Sequence, residues 1–265
     1  MKKPERLAAL LIMSFLAMCH STPFVPSKVH AQTPETSLIS DLVSNNWQKV
    51  RLAKPKFESQ EADGIAAVIV LLDRDDFVPL TNTSDLIYPG AMTFYGHGRI
   101  VDYDLDRIAV RAGWVLEEAA FQNFGFSEGA IREEDLLQAA IKGKTDVPLK
   151  DVVPAKRDEA SRADRINKAR NRAKAWWSAA GKDWSRYAAL KDALISGDAK
   201  REMEALGWLR HGETKCKGLN SESYERDLLP IVKKLVSAQD EGVAQQAIHL
   251  RGERGQWWRK DENTK

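Results

Sequence analysis

The sequence predicts an all-α fold, and three observations carry that expectation. Apolar residues recur at three- and four-residue steps through most of the chain. No run alternating apolar and polar residues is long enough to make a convincing strand. Three stretches share one plan: "DLVSNNWQKVRLA" (residues 41–53), "ALISGDAKREMEAL" (193–206) and "KLVSAQDEGVAQQAI" (234–248). Each ends a helix with Leu, then Val or Ile, then Ser, turns on polar residues, and opens a second helix carrying Ala53, Ala205 or Ala247 inward.

The chain opens with a leader pattern. Basic Lys2, Lys3 and Arg6 precede twelve apolar or small residues, 7–18, and the small-residue site Val29-His30-Ala31 stands before Gln32. That layout predicts a secretory signal peptide over residues 1–31, cleaved between Ala31 and Gln32, and the apolar run is too short to span a bilayer. Leu16-Ala17-Met18-Cys19 also resembles a bacterial lipobox, in which Cys19 would be lipidated, although Met18 is bulky for its place. Either route takes the mature chain out of the cytoplasm, to a periplasmic or extracellular place.

Two regions are expected after the leader: residues 32–150, with a loop insertion at 81–103, and residues 151–265. A Pro-containing linker leads to a periodic stretch at Leu38, Ile39, Leu42 and Val43. "DGIAAVIVLLD" (63–73) is almost continuously apolar, and its length and alanines favour a buried helix. Turn signals at 81–84 and Pro89-Gly90 mark the insertion. Leu105, Ile108, Ala112, Val115 and Ala119 then make one face of an amphipathic helix. Asp106, Arg107, Arg111, Glu117 and Glu118 are expected on its solvent face, and Gly125 as its C-terminal cap. Residues 127–142 read as a shorter helix. The two-proline loop 143–154 is the expected boundary between the regions. A long basic helix is expected over 157–180, with a stripe of Ile166, Ala169, Ala173, Trp176 and Ala180. Helical pairs follow at 187–209 and 228–250.

From Leu194 to Leu235 is a step of 41 residues, within the period of two-helix HEAT or armadillo units. On these residues the chain resembles a degenerate HEAT-type α-solenoid. It departs from the pattern at Glu202, where the other two stretches have Val50 and Val243, and through residues 81–180. The layout, including Lys174-Ala175-Trp176-Trp177, is also similar to uncharacterised exported bacterial HEAT-like proteins. The resemblance implies a scaffold that binds other proteins along a concave face. It implies no catalysis.

The first candidate site lies in the insertion. Tyr88, Tyr95, His97 and Tyr103, among Gly90, Gly96 and Gly98, make a possible recognition loop, because glycines let the backbone fold tightly and tyrosines offer stacking area with a polar tip. His97 beside Asp102 and Asp104 has the groups for acid–base work, so an envelope hydrolase or metal-dependent enzyme centred there is an alternative. The plainer reading packs the loop over the helix ends, with Asp102 or Asp104 capping the next helix. Asp102-x-Asp104-x-Asp106 opens like a calcium loop, but Arg107 and Gly113 stand where an EF-hand needs Gly and Glu.

The second candidate is the basic helix. Residues 156–174 hold eight Lys or Arg against three acids, and Trp176-Trp177 follow. An anionic lipid surface or an acidic protein partner suits it; a solvated helix face is the plain alternative. The tail carries Trp257-Trp258 before Arg259-Lys260, a further possible contact with a partner or a membrane surface.

The remaining features narrow the classes. The whole chain carries 40 basic and 38 acidic residues; the leader removes four basic and one acidic, leaving 36 against 37. Such balance gives no reason to expect a nucleic-acid partner. Once Cys19 is removed, Cys216 is the one thiol, set in a polar loop, and no internal disulfide can form. His97, His211 and His249 have no metal-ligand spacing. There is no Gly-x-Ser-x-Gly, His-Glu-x-x-His, phosphate loop or dinucleotide fingerprint. No cofactor or metal is expected. The functional expectation is an exported, non-enzymatic helical scaffold whose partners are other proteins of the cell envelope.

Overall fold

The computed structural model describes residues 34–129, 131–153, 159–212 and 214–252. The expected leader with its expected Ala31–Gln32 cleavage site, Cys19 and the terminal Trp257-Trp258 lie outside the described residues. The chain is mostly helical, with four strands of two residues each. These strands were not legible as such, since two residues cannot display alternation.

Helices α1 (Pro34–Leu42), α2 (Trp47–Ser59) and α3 (Glu61–Leu71) pack in sequence. In α2 the buried side chains Trp47, Val50, Ala53 and Phe57 fall at steps of three and four, the spacing of one helix face. The apolar run becomes α3, as its composition suggests. The insertion follows. Strand β1 (Leu86–Ile87) pairs in parallel with β3 (Arg99–Ile100), and β2 (Thr93–Phe94) pairs antiparallel with β4 (Val147–Pro148). A small core of Ile87, Phe94, Leu136 and Leu149 holds this region to α5 (Glu133–Ile141).

Helix α4 (Ile108–Ala120) departs most from expectation. All of its residues except Glu118 are buried, so it has no solvent face. Arg111 and Glu117, expected outside, are fully buried. Each is kept there by several hydrogen bonds, the condition for burying charge. Arg111 donates to the carbonyls of Leu42, Ser44, Leu105 and Val78 at 2.7–3.0 Å. Glu117 accepts from the Tyr103 hydroxyl at 2.8 Å and from the backbone N–H groups of Phe124, Gly125 and Phe126. The helix closes at Phe121, in the left-handed region (φ 51, ψ 44), rather than at Gly125. Arg107 is its N-cap and makes no side-chain cap bond, so neither Asp102 nor Asp104 caps it.

Helix α6 (Glu159–Ala180) lies against α3 and α4 through Ile166, Ala169 and Ala173. The C-terminal part holds α7 (Arg186–Leu194), α8 (Ala199–His211), the short α9 (Ser221–Ser223), a π-helical turn (Tyr224–Leu228), α10 (Leu229–Leu235) and α11 (Glu241–Gly252). The π turn comes just before Pro230, which has no N–H for a regular helical bond. Helix α8 packs on both α7 and α11.

The three similar stretches fold as helix–turn–helix hairpins: α1/α2, α7/α8 and α10/α11. Two of the turns use one device. The hydroxyls of Ser44 and Ser196 accept the N–H two residues on, each at 3.2 Å, and the next side chain, Asn46 or Asp198, caps the second helix. Asp240 caps α11 through the N–H of Val243. Glu202 is buried and accepts the Gly197 N–H at 3.0 Å, so it braces its turn where a valine would only pack.

Candidate functional site

The hairpins α1/α2 and α7/α8 flank a cleft of about 700 Å³ whose wall is completed by α4 and the end of the insertion. Each wall carries charge. Helix α2 contributes Arg51, Lys54 and Glu58, with Leu52 and Pro55 between them. Residues Arg99, Asp102 and Tyr103 come from the insertion, and Trp114, Glu118 and Phe121 from α4 and its end. The C-terminal wall holds Arg186, Lys200, Glu204, Trp208, His211 and Thr214.

The floor is an ion network. Lys54 bridges Glu58 and Glu118. Glu58 also accepts from Arg186 at 2.9 Å and from the Thr214 hydroxyl at 2.6 Å. Burial alone would raise the Glu58 carboxyl; the charges of Lys54 and Arg186 overcome it and hold the group at about 2. Burial likewise opposes the charge on Lys54, but the two glutamates hold its ammonium above the usual value. The Arg186 guanidinium lies over the rings of Trp208 and Phe121, 4.7 and 5.3 Å from their centres. Phe121 reaches this place because its left-handed backbone turns it from α4 into the C-terminal core.

Glu204 has the opposite environment. Its nearest cation, Lys200, is 3.9 Å away, and its Oε2 has no hydrogen-bond partner. Burial pushes its carboxyl up to about 7; Lys200 opposes the shift, and the negative charges of Glu118, Glu117 and Asp198 add to it. Asp102 is raised too, by burial against the pull of Lys200, and its Oδ1 also lacks a partner.

The proposed recognition loop divides between core and surface. Tyr88 is buried and donates to Asp106 at 2.8 Å; Asp106 also accepts the Leu80 N–H. The backbone at Gly90 comes so close to Asp104 and Asp106 that a Cβ there would lie 2.7 Å from each carboxylate. Tyr103 is mostly buried, bonded to Glu117, and lines the cleft. Tyr95 and His97 are exposed, and His97 Nδ1 meets the Tyr95 carbonyl at 3.2 Å. His97, Asp102 and Asp104 do not converge: Asp102 lines the cleft, His97 does not, and Asp104 is buried against Arg107 at 3.1 Å. Asp106 ties the insertion to the core through Tyr88 and the Leu80 N–H, and neither Asp102 nor Asp104 caps α4.

The basic helix is largely paired internally. Arg162 and Arg165 meet Glu128 at 2.9 and 2.8 Å, Arg170 meets Asp75, and Lys174 meets Asp73 at 2.6 Å. Trp176 packs on Phe124 and Trp184. Cys216 is buried although its loop is polar in sequence, and burial with the Glu61 charge pushes its thiol up to about 12. Among the described residues, no three His, Cys, Asp or Glu side chains are placed to hold a metal ion, and no helix is long and apolar enough to cross a membrane.

Sequence reasoning missed Lys54, Glu58, Glu118, Arg186, Lys200 and Glu204. The Lys54–Glu58 and Lys200–Glu204 spacings of four are ordinary helix-surface pairs. Nothing local says that they face one another across 150 residues of chain. No protein-family model, curated protein or solved structure matches the chain.

Proposed function

We propose that this is an exported, non-enzymatic binding protein of the cell envelope, built from degenerate HEAT-like helical hairpins, that takes a segment of another protein into the cleft between them. The observation that carries the reading is the cleft itself. It is about 700 Å³, within the range of ligand-binding clefts, and opens between two hairpins, where the concave face of a helical repeat binds its partners. Its floor is already neutralised by internal ion pairs, which suits binding without chemistry. Export rests on the leader pattern of residues 1–31.

The test uses Gly207, which lines the cleft on α8 and has open space where a side chain would begin. Gly207→Trp should fill the cleft without disturbing the core. A photo-crosslinker at Leu52, which is 58% exposed on the rim, should capture a discrete envelope protein that excess unlabelled protein competes away. Gly207→Trp should abolish that adduct. The reading fails if there is no adduct, or if the adduct survives in the filled cleft.

A second reading is favoured by one residue. A glutamate poised at about 7 in a cleft beside Glu118 is placed for proton transfer. It requires turnover of some substrate that is lost in Glu204→Gln while the Leu52 adduct persists. Turnover unchanged in that variant would refute it.

A further inference from the structure

Three basic side chains at the cleft differ from the other ion pairs of the molecule. Arg51, Arg99 and Lys200 have their acidic partners, Asp85, Glu118 and Glu204, at 3.8, 4.0 and 3.9 Å, beyond hydrogen-bond distance. Their side chains are 51, 57 and 38% exposed. Elsewhere among the described residues the pairs close to 3.3 Å or less, and Arg170, 4.0 Å from Asp73, also holds Asp75. All three loosely paired cations therefore line one cleft, and the exposed His211 lines it as well.

The acids in the same cleft offset little of this charge. Glu58 and Glu118 are committed to Lys54, Arg186 and the indole N–H of Trp114, and Asp102, half-buried in the same cleft, offsets part of the Lys200 charge. Glu204 faces Lys200 and Asp198 on its own side and Glu117, Glu118 and Tyr103 from α4 and the insertion. Most of these neighbours are acidic, which disfavours its ionised form. The mouth thus presents loosely paired positive charge over a floor that is already neutral. The three cations come from three elements, α2, β3 and the first turn of α8. A compact anion such as phosphate is held by convergent donors; cations distributed around a mouth suit carboxylates distributed along a chain.

We propose that the cleft takes an acidic, extended polypeptide segment whose side-chain carboxylates pair with Arg51, Arg99 and Lys200. This rests on the reading that a protein partner enters the cleft, and it assigns that partner's chemistry.

The test is fluorescence anisotropy of the mature protein with a labelled decapeptide of alternating Glu and Gly, with a Lys-Gly decapeptide and dextran sulfate as competing arms. The expected result is saturable binding of the glutamate peptide, weakened at least tenfold in Arg99→Glu/Lys200→Glu. Lys168→Glu, an exposed position on α6, should leave it unchanged. Circular dichroism and melting temperature establish that the double variant is folded. A double variant that is folded yet binds normally overturns the proposal, as does absence of glutamate-peptide binding at low salt. Tenfold preference for dextran sulfate overturns the polypeptide class. If Gly207→Trp abolishes the Leu52 adduct while Arg99→Glu/Lys200→Glu preserves it, the cleft remains the binding site and the acidic segment falls.

Discussion

The guanidinium of Arg186 lies 4.7 Å above the ring centre of Trp208. One fully buried arginine thereby ties α7 to α8, while its Nη1 ties both to Glu58 on α2. Removing it would leave the buried Glu58 with Lys54 as its one neighbouring cation and the Thr214 hydroxyl as its other partner. Arg186→Met should destabilise the fold by roughly 3–5 kcal/mol, the range for stranding one member of a buried pair. Arg186→Lys should recover little, because an ammonium lacks the planar surface that lies on the ring. Urea denaturation of both variants measures this.

Acid should act on Glu58 and base on Glu204, in opposite senses. The Glu58 carboxyl is depressed to about 2 in the fold. Its contribution is therefore present above the unfolded value of about 4.3 and disappears as pH falls toward 2, roughly 3 kcal/mol in all. The Glu204 carboxyl is raised to about 7. Its contribution is present below about 4.3 and is lost as pH rises through 7. Glu204→Gln should therefore stabilise the protein at pH 8 by about 1–3 kcal/mol and much less at pH 4.5. Thermal melts of wild type and variant at the two pH values decide it.

Tyr103→Phe should cost about 1–3 kcal/mol, because it deprives the buried Glu117 Oε2 of its hydroxyl partner. Glu117 should titrate closer to neutrality in the variant. A purely packing role for the ring would leave both stability and titration nearly unchanged.

Gly113→Ala should destabilise on the order of 1–3 kcal/mol or more. A Cβ at this position in α4 would lie 2.2 Å from Cγ of Phe126, a fully buried ring. Chemical denaturation is the measure, and an alanine that raised stability through helix propensity would refute the packing.

Cys216 should resist thiol reagents in the folded protein at pH 8. Its thiol is buried and held near 12, so the thiolate is scarce. Modification should follow global unfolding as denaturant is added, and rapid reaction of the native protein would contradict this.

The hairpins were legible because their signals are local: an apolar stripe, a Leu-Val/Ile-Ser ending, then an Asx cap. Ala53, Ala205 and Ala247 do lie fully buried in the second helix of each hairpin. The character of α4 was not legible. Its charges look like an outer face until Arg111 meets the carbonyls of Leu42 and Ser44, nearly seventy residues earlier in the chain. The insertion announced Tyr88, Tyr95, His97 and Tyr103 through composition, but composition cannot separate a tyrosine buried on a carboxylate from one left in solvent. The cleft was hidden for a related reason. Lys54, Glu58, Arg186 and Glu204 each sit in an ordinary helical context, and only tertiary packing assembles them.

The enclosure of α4 bears on how the molecule comes apart. A linear stack of hairpins loses its end units one at a time, because each touches only its neighbours. Here α4 is buried at every residue but Glu118, and Phe121 at its end belongs to the core of the C-terminal hairpins. Deleting those hairpins would expose the Phe121 ring and leave Glu58 without Arg186. The described helices should therefore melt as a single cooperative transition, and a shortened chain ending after α6 should not retain a native-like N-terminal half.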